Sequence, residues 1–538
     1  MNSFSEEVDD FPEDSDVNSD EDMSAAVERI LREGVIMDNM RDVPEEVATL
    51  FENPKAMSEL MNFLHRREVV SMSSSYYLSK AAAELIASLP SDLITAILQN
   101  ETWVGEIISL VTAGHFSSHN AFCFELILNR ISNMHTEDCI HFFTSHPDAL
   151  ECCCKHLDNY SMCLCFRYFV LCVSSAEASP FDIAHLIDIL LQGLRTFDSS
   201  DNVLALINLL LADAAIDDGL HSQFIRAFCV SPALQDAVVA AIGEMPALLG
   251  CSKLQRRDAD DACAHLLRVA RRVVSTVFDE DHAPMVDEDL FVQMQEGDFR
   301  LEDALRTPLA TALLAHVDDL LAAMEALLAL EDAAAFCPKC FVEAGYVLEV
   351  LLFSLNLPEE AGEVSLEQVR RVDHVLATAM GTFTRASLLH GRVKRIYKQF
   401  FKRVDLPAHQ LIVDASEIFA AAVRMLEKPA LPACGALKNI CRRYEKCIKE
   451  NPALREGKAY AVVAEHLDMA EEMKPLQDID LESNPILTFE QRLLQLPQEQ
   501  LLALLGCGDQ QLVSIISALQ GHLGGEETEE EEDHGVEM

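Results

Sequence analysis

TPLATALLAHVDDLLAAMEALLAL, Thr307 to Leu330, is the stretch whose reading decides the fold. Leu309, Leu313, Val317, Leu320, Met324, Leu327 and Leu328 recur at intervals of three and four, which places them on one face of a helix. The spacing predicts one helix over Pro308 to Leu330. Thr307 followed by Pro308 reads as its start, because a polar N-cap accepts from an orphan amide and a proline at the first helical position has no amide to satisfy. The same pair of signals recurs at Asn53-Pro54, Ser179-Pro180, Ser231-Pro232 and Asn451-Pro452.

Working outward, amphipathic stretches follow one another along the chain. They predict helices over Asn53–Arg66, Ser74–Ser88, Glu101–Thr112, His119–Met134, Pro147–Leu157, Met162–Val173, Pro180–Thr196, Pro232–Leu249 and Ala259–Val277. Beyond Leu330 they predict Phe341–Leu355, Leu366–Met380, Leu388–Val404, Ala408–Leu426, Leu437–Glu450 and Pro452–Met473. Glycine is scarce, at 20 of 538 residues, and strand-like alternation is hard to find. Successive helix pairs recur at the spacing of armadillo or HEAT units, about 40 to 47 residues. The fold class expected is therefore all-α: an elongated armadillo/HEAT-like helical-repeat solenoid, with a concave inner surface and disordered acidic tails. The expected division is an acidic tail over 1–23, the repeat domain over 24–473, a linker and short helical end over 474–523, and a second acidic tail over 524–538. Asp279–Arg300 reads as an irregular loop inside the repeats.

Charge narrows the partners. The net charge is −48, and 18 acidic residues lie in the two tails, which leaves −30 on the body. A body this acidic repels phosphate backbones, which disfavours nucleic acid. Ser19, followed by Asp20-Glu21-Asp22, and Thr528, followed by Glu529-Glu530-Glu531, suit an acid-directed kinase. Phosphate adds about −1.5 to −2 charge to segments already acidic, so tuning of a partner is expected rather than a change of fold. Intact-mass analysis after reaction with such a kinase should show phosphate on one or both residues; an unmodified mass removes both assignments. The 17 cysteines, many in apolar helical stretches, read as small hydrophobes in a reducing compartment. The chain starts acidic and polar, unlike a secretory signal, and its longest apolar runs are too short for a bilayer. The expected location is the cytoplasm, with the nucleus as a second compartment, and no membrane insertion.

No nucleotide, protease or hydrolase motif is present, and no catalytic pair is spaced for acid–base work. The expectation is a protein without enzymatic activity or cofactor. Cys337-Pro-Lys-Cys340 has the spacing of half a zinc site, but a structural site needs four ligands and there is no second pair. It reads as a loop or helix start. Cys152-Cys153-Cys154 between His146 and His156 cannot converge on one point, because successive helical residues diverge by about 100°. Trp103 is the only tryptophan, so the Trp and Asn ladders of nuclear-import adaptors are missing.

One segment departs from the acidic body. From His374 to Val404 there is no Asp or Glu, while Arg385, Arg392, Lys394, Arg395, Lys398, Lys402 and Arg403 lie within it. Leu389, Val393, Ile396 and Phe400 form its apolar stripe. Arg392, Lys394, Arg395, Lys398 and Lys402 are the candidate partner-binding residues.

The same segment carries a family resemblance. His374-Val-Leu-Ala-Thr-Ala-Met-Gly-Thr-Phe-Thr-Arg-Ala-Ser-Leu-Leu-His-Gly-Arg-Val393 resembles the stretch of SAPS-family proteins that runs through an apolar helix into Asn-Asn-x-Leu-His-x-x-Val. Leu389, His390 and Val393 match; Ala386 and Ser387 replace the paired asparagines. Asp138–Phe143, His146–Leu150 and Lys155–Met162 are similar to a second family stretch, and Val47–Leu64 to the entry into its first full repeats. The family's Phe-Trp opening is replaced by the acidic tail. The resemblance implies a regulatory subunit of a type-6, Sit-four-like serine/threonine protein phosphatase, a scaffold that holds the catalytic subunit and helps choose substrates. The rival expectation is an acidic adaptor or chaperone for basic cargo such as histones or ribosomal proteins. A third is an enzyme whose site is assembled from distant helices.

Overall fold

The computed structural model describes residues 20–33, 43–65, 72–114, 116–134, 136–173, 182–216, 223–275, 301, 303–332, 336–353, 363–403, 407–426 and 432–464. The chain divides into two units, up to Val463 and from Ala464. The linker, the helical end, Asp279–Arg300, Ser19 and Thr528 lie outside the described residues, as does Ser179-Pro180.

The first unit is all-α, a helical-repeat solenoid. A leading helix, Asp20–Glu33, precedes eight repeats among the described residues. Six of them have three helices: Glu45–Phe51, Pro54–His65, Met72–Ser88; Ser91–Leu98, Glu101–Thr112, Ser118–Met134; Thr136–Ser145, Pro147–Lys155, Tyr160–Val173. The fifth repeat is Gln223–Val230, Pro232–Glu244, Lys253–Val274; the sixth Asp303–Ala315, Val317–Leu327, Lys339–Phe353; the eighth Pro407–Ala415, Ile418–Leu426, Pro432–Glu450. The fourth (Ile183–Arg195, Phe197–Ile216) and the seventh (Leu366–Thr382, Ser387–Lys402) show two. Third helices pack on third helices from one end of the unit to the other, and second helices pack on second helices along most of it. Each repeat thus buries its apolar stripe on the next, which one helix pair cannot do alone.

Side-chain bonds between neighbouring repeats follow the repeat length. Trp103 Nε1 donates to Ser58 Oγ, Tyr168 to Glu125, Asn202 to the Asp158 carbonyl, and Arg371 to Glu325, across 45, 43, 44 and 46 residues. At the junction of the fifth and sixth repeats the interval grows to 75 for Arg268 and Glu343, because residues 276–300 fall inside it.

Several boundaries differ from expectation. The leading helix begins at Asp20, inside the stretch expected as tail; Met23, Val27 and Leu31 line its buried face. Asn53 and Ser231 do cap, accepting from the amides of Lys55 and Ala233 at 3.0 and 3.1 Å. Thr307-Pro308 does not start a helix. Pro308 lies inside Asp303–Ala315, whose buried stripe of Leu305, Leu309 and Leu313 begins before it. Thr307 Oγ1 donates to the Asp303 carbonyl at 2.6 Å instead of capping. The decisive stripe is buried from Leu309 to Leu327, with Leu328 half-buried, but the helix breaks at His316, where a first helix meets a second. Asn451-Pro452 opens a 3-10 turn, Pro452–Glu456. Among the described residues, Pro232–Gly250 is long and apolar enough to cross a membrane by length and composition, yet Leu234, Val238, Ile242, Met245 and Leu248 are buried against neighbouring helices.

Candidate functional site

The basic segment forms the second and last helix of the seventh repeat, Ser387–Lys402, which packs where the third helices of the other repeats do. Leu389, Val393, Ile396 and Phe400 are buried on one side, as the stripe predicts. The charged residues of the other side separate into two groups.

Arg392 is turned inward and is corrected from a partner contact to a structural residue. It is 5 % exposed, its guanidinium pairs with Glu349 of the sixth repeat, and it stacks on the Tyr346 ring at 3.1 Å from the centroid. Arg271 of the fifth repeat lies near the same ring at 4.2 Å. Tyr346 thus connects cations from both neighbouring repeats, its ring quadrupole adding to the ion pairs of Arg392 with Glu349 and Arg271 with Glu343. Arg395 pairs with Glu349 Oε1 at 2.8 Å but remains 45 % exposed. The sequence of Ser387–Lys402 alone carries no sign of this, since Glu343, Tyr346 and Glu349 lie about one repeat upstream.

Lys394 and Lys398 are half-buried and Lys402 is exposed. Lys398 is held below its usual range, first by Lys402, then by Arg443 of the eighth repeat, with burial, Arg395 and Lys394 adding to it. Arg443 was not among the sequence candidates; it joins because Pro432–Glu450 packs beside Ser387–Lys402. The result is a cationic face shared by the last helices of the seventh and eighth repeats. Like charges this close oppose one another, so the face suits an acidic surface that neutralises it.

The residues that carry the family resemblance are packing residues. Leu389 and Val393 are fully buried, and His390, 3 % exposed, donates from Nε2 to the Phe383 carbonyl at 2.8 Å. Burial pushes its imidazole below the usual range.

Cys337-Pro-Lys-Cys340 is a helix start, and the cap comes from another repeat. Asp260 accepts from the amides of Lys339 and Cys340 at 2.8 and 2.9 Å. Burial pushes the Cys337 thiol up to about 12 and Cys340 well above its usual range, so both are thiols rather than thiolates at neutral pH. The cysteine triplet diverges as expected: Cys153 is fully buried, while Cys152 Sγ reaches the Val111 carbonyl at 3.2 Å. His156 stacks on Phe116 instead of joining it. Among the described residues, no three or more His, Cys, Asp or Glu side chains are grouped to hold a metal ion.

No family model matches the chain, and no curated protein matches it. Among solved structures, the crystal structure of an engineered protein is similar to 80% of this chain and 96% of its own length, at 14% identity and a TM-score of 0.29.

Proposed function

We propose that this chain is a non-catalytic scaffold that holds an acidic surface of a partner protein on the face formed by Lys394, Arg395, Lys398, Lys402 and Arg443. One observation carries the reading: in a chain of net charge −48, these cations gather so closely that Lys398 is depressed by its like-charged neighbours. Arg395 shares its charge with Glu349, while the like charges around Lys398 oppose one another, and an acidic partner relieves that repulsion. The SAPS-like segments supply the identity of the partner, a type-6 serine/threonine protein phosphatase catalytic subunit that the scaffold directs to substrates. A cytoplasmic location, with the nucleus as a second compartment, goes with this reading.

The test is charge reversal. Arg395→Glu, Lys398→Glu and Lys402→Glu together should abolish retrieval of a metallophosphatase from native extract at low salt. Circular dichroism should stay close to wild type, and melting should fall only by what the half-exposed Arg395–Glu349 pair contributes. Single reversals should be mild, since exposed pairs contribute ~0.2–1 kcal/mol each. The loss should shrink as salt rises, with screening at about 8 Å in physiological salt. Unchanged retrieval by the triple variant overturns the face. Retrieval of histones or ribosomal proteins instead establishes the chaperone for basic cargo.

A further inference from the structure

The cationic face is ordered as well as charged, and its order restricts the form of anion that fits. Between Arg385 and Lys458 the chain carries 16 Lys and Arg against 7 Asp and Glu, in a protein with 41 against 89 overall. Elsewhere, cations at the surface find carboxylates: Lys80 pairs with Glu84, Lys155 with Glu151, Arg195 with Glu244, and Arg371 with both Asp318 and Glu325. Lys394, Lys398, Lys402 and Arg443 pair with none among the described residues.

Lys394, Lys398 and Lys402 occupy every fourth position of Ser387–Lys402. They form a row along the helix, each about 6 Å further on than the last. Pro432–Glu450 runs beside the row in the same direction. Cys447 Sγ reaches the Phe401 carbonyl across 46 residues, and Arg443 is among the charges that act on Lys398 across 45. Amide side chains stand between these charges. Asn439, one turn before Arg443, accepts from Arg443 Nε at 3.3 Å and keeps its NH2 for another acceptor. The Gln399 side chain, part-exposed beside Lys398, makes no hydrogen bond among the described residues.

A folded acidic surface offers charges at whatever spacing its own packing sets. An extended chain offers them at a fixed one, because alternate side chains point the same way and lie about 6.6–6.8 Å apart. That step matches the step of the lysine row to about 1 Å. An extended chain also carries backbone carbonyls and amides without partners of their own, which Gln399 and Asn439 can serve.

We infer that the row docks an extended acidic segment of a partner protein, with carboxylates at alternate positions on Lys394, Lys398 and Lys402 and its backbone on Gln399 and Asn439. The place rests on the scaffold reading; the form of the partner, a strand-like acidic stretch, is added to it.

The experiment is fluorescence anisotropy with the full chain and a labelled octapeptide, Gly-Glu-Ser-Glu-Ser-Glu-Ser-Gly. One counterpart gathers the same residues as Gly-Ser-Glu-Glu-Glu-Ser-Ser-Gly, and another carries Gln for Glu. The alternating peptide should saturate. The gathered peptide should bind about threefold more weakly, since one of its three carboxylates points away from the row. The Gln peptide should bind at least about tenfold more weakly. Lys394→Glu with Lys402→Glu should weaken the alternating peptide about tenfold, with melting unchanged because neither residue has an ion pair to lose. Gln399→Leu should weaken it about threefold. Absence of saturable binding, equal binding of the gathered peptide, or indifference to Lys394→Glu with Lys402→Glu overturns the inference. If that happens while the triple reversal at Arg395, Lys398 and Lys402 still loses the metallophosphatase, the scaffold reading stands and the form of the partner falls. If the alternating peptide binds as expected while that reversal keeps the phosphatase, the segment stands and the identity of the partner falls. Tighter binding of a labelled oligouridylate overturns the choice of a protein ligand. Light scattering that shows the chain pairing with itself, and losing the pairing on Lys394→Glu with Lys402→Glu, gives the row to a second copy and overturns the choice of a partner.

Discussion

Asp373→Ala should destabilise the junction of the seventh and eighth repeats by about 3 kcal/mol, from the donors it leaves buried without a partner. Asp373 is 5% exposed and accepts from the hydroxyls of Tyr397 and Ser416 and from the Glu417 amide, the last at 2.6 Å. Tyr397 is fully buried, so its orphaned hydroxyl has no water to turn to. Asp373→Asn keeps one acceptor oxygen and should cost about half as much, because its NH2 turns a second acceptor into a donor facing other donors. Urea melts followed by circular dichroism measure both. Equal stability of the alanine variant and wild type would show that the network contributes nothing net.

The same residue sets a pH dependence of known sign. Burial holds the Asp373 carboxyl above its usual range, against the pull of Ser416, Tyr397 and the Glu417 amide. A carboxyl raised on folding binds its proton more tightly in the folded state. Its contribution is then fully present below the unfolded value of 3.8 and is lost as pH rises through the folded value. The advantage of wild type over Asp373→Asn should therefore be largest near pH 4 and narrow towards pH 7. The histidines His265 and His390, buried, and His119, half-buried, lie below their usual range and pull the other way, and taking the difference between two variants cancels them. A gap that widens with pH would mean the carboxylate is favoured by folding.

These contacts explain how much of the fold could be read in the sequence. Long second and third helices were legible because each buries a stripe: Glu101–Thr112 was predicted to the residue, and Leu366, Pro232 and Pro147 were predicted as starts. The short first helices, such as Ser91–Leu98 and Gln223–Val230, were not, since seven or eight residues show too few turns for periodicity. Breaks were missed where the cap comes from afar. Ala408–Leu426 reads as one helix, yet it parts around Ser416 and Glu417, where Asp373 takes the Glu417 amide from 44 residues away. Lys339 starts its helix on Asp260 across 79 residues. Such caps stand where no local pattern points. The candidate site divides the same way: the cations Lys394, Arg395, Lys398 and Lys402 are legible in the sequence as a charge island. The burial of Arg392 and the arrival of Arg443 depend on which helices become neighbours.

Arg306→Ala should destabilise the junction of the fifth and sixth repeats by about 3–4 kcal/mol, since it removes a buried charge with its hydrogen bonds and packing. Arg306 is completely buried. Its Nε and Nη2 donate to the Val274 carbonyl at 3.1 and 2.9 Å, and Nη1 donates to Asp303 at 3.0 Å. Val274 ends the 22-residue helix Lys253–Val274, so Arg306 caps the negative end of that helix with a cation. The cap also spans residues 276–300, fastening the sixth repeat to the fifth across the longest interruption in the repeat pattern. Alanine leaves the carbonyl orphaned and opens a cavity. Arg306→Met restores most of the packing but not the donors and should cost about 1–3 kcal/mol, the expense of one unsatisfied buried acceptor. Hydrogen exchange should place the loss. In a repeat array each unit is coupled to its neighbours, so amides of Lys253–Val274 and Asp303–Ala315 should lose protection while those of Pro54–His65 keep theirs. If methionine proves as damaging as alanine, the cation rather than the packing governs the junction. If neither variant changes protection in Lys253–Val274, the cap does not hold the two repeats together.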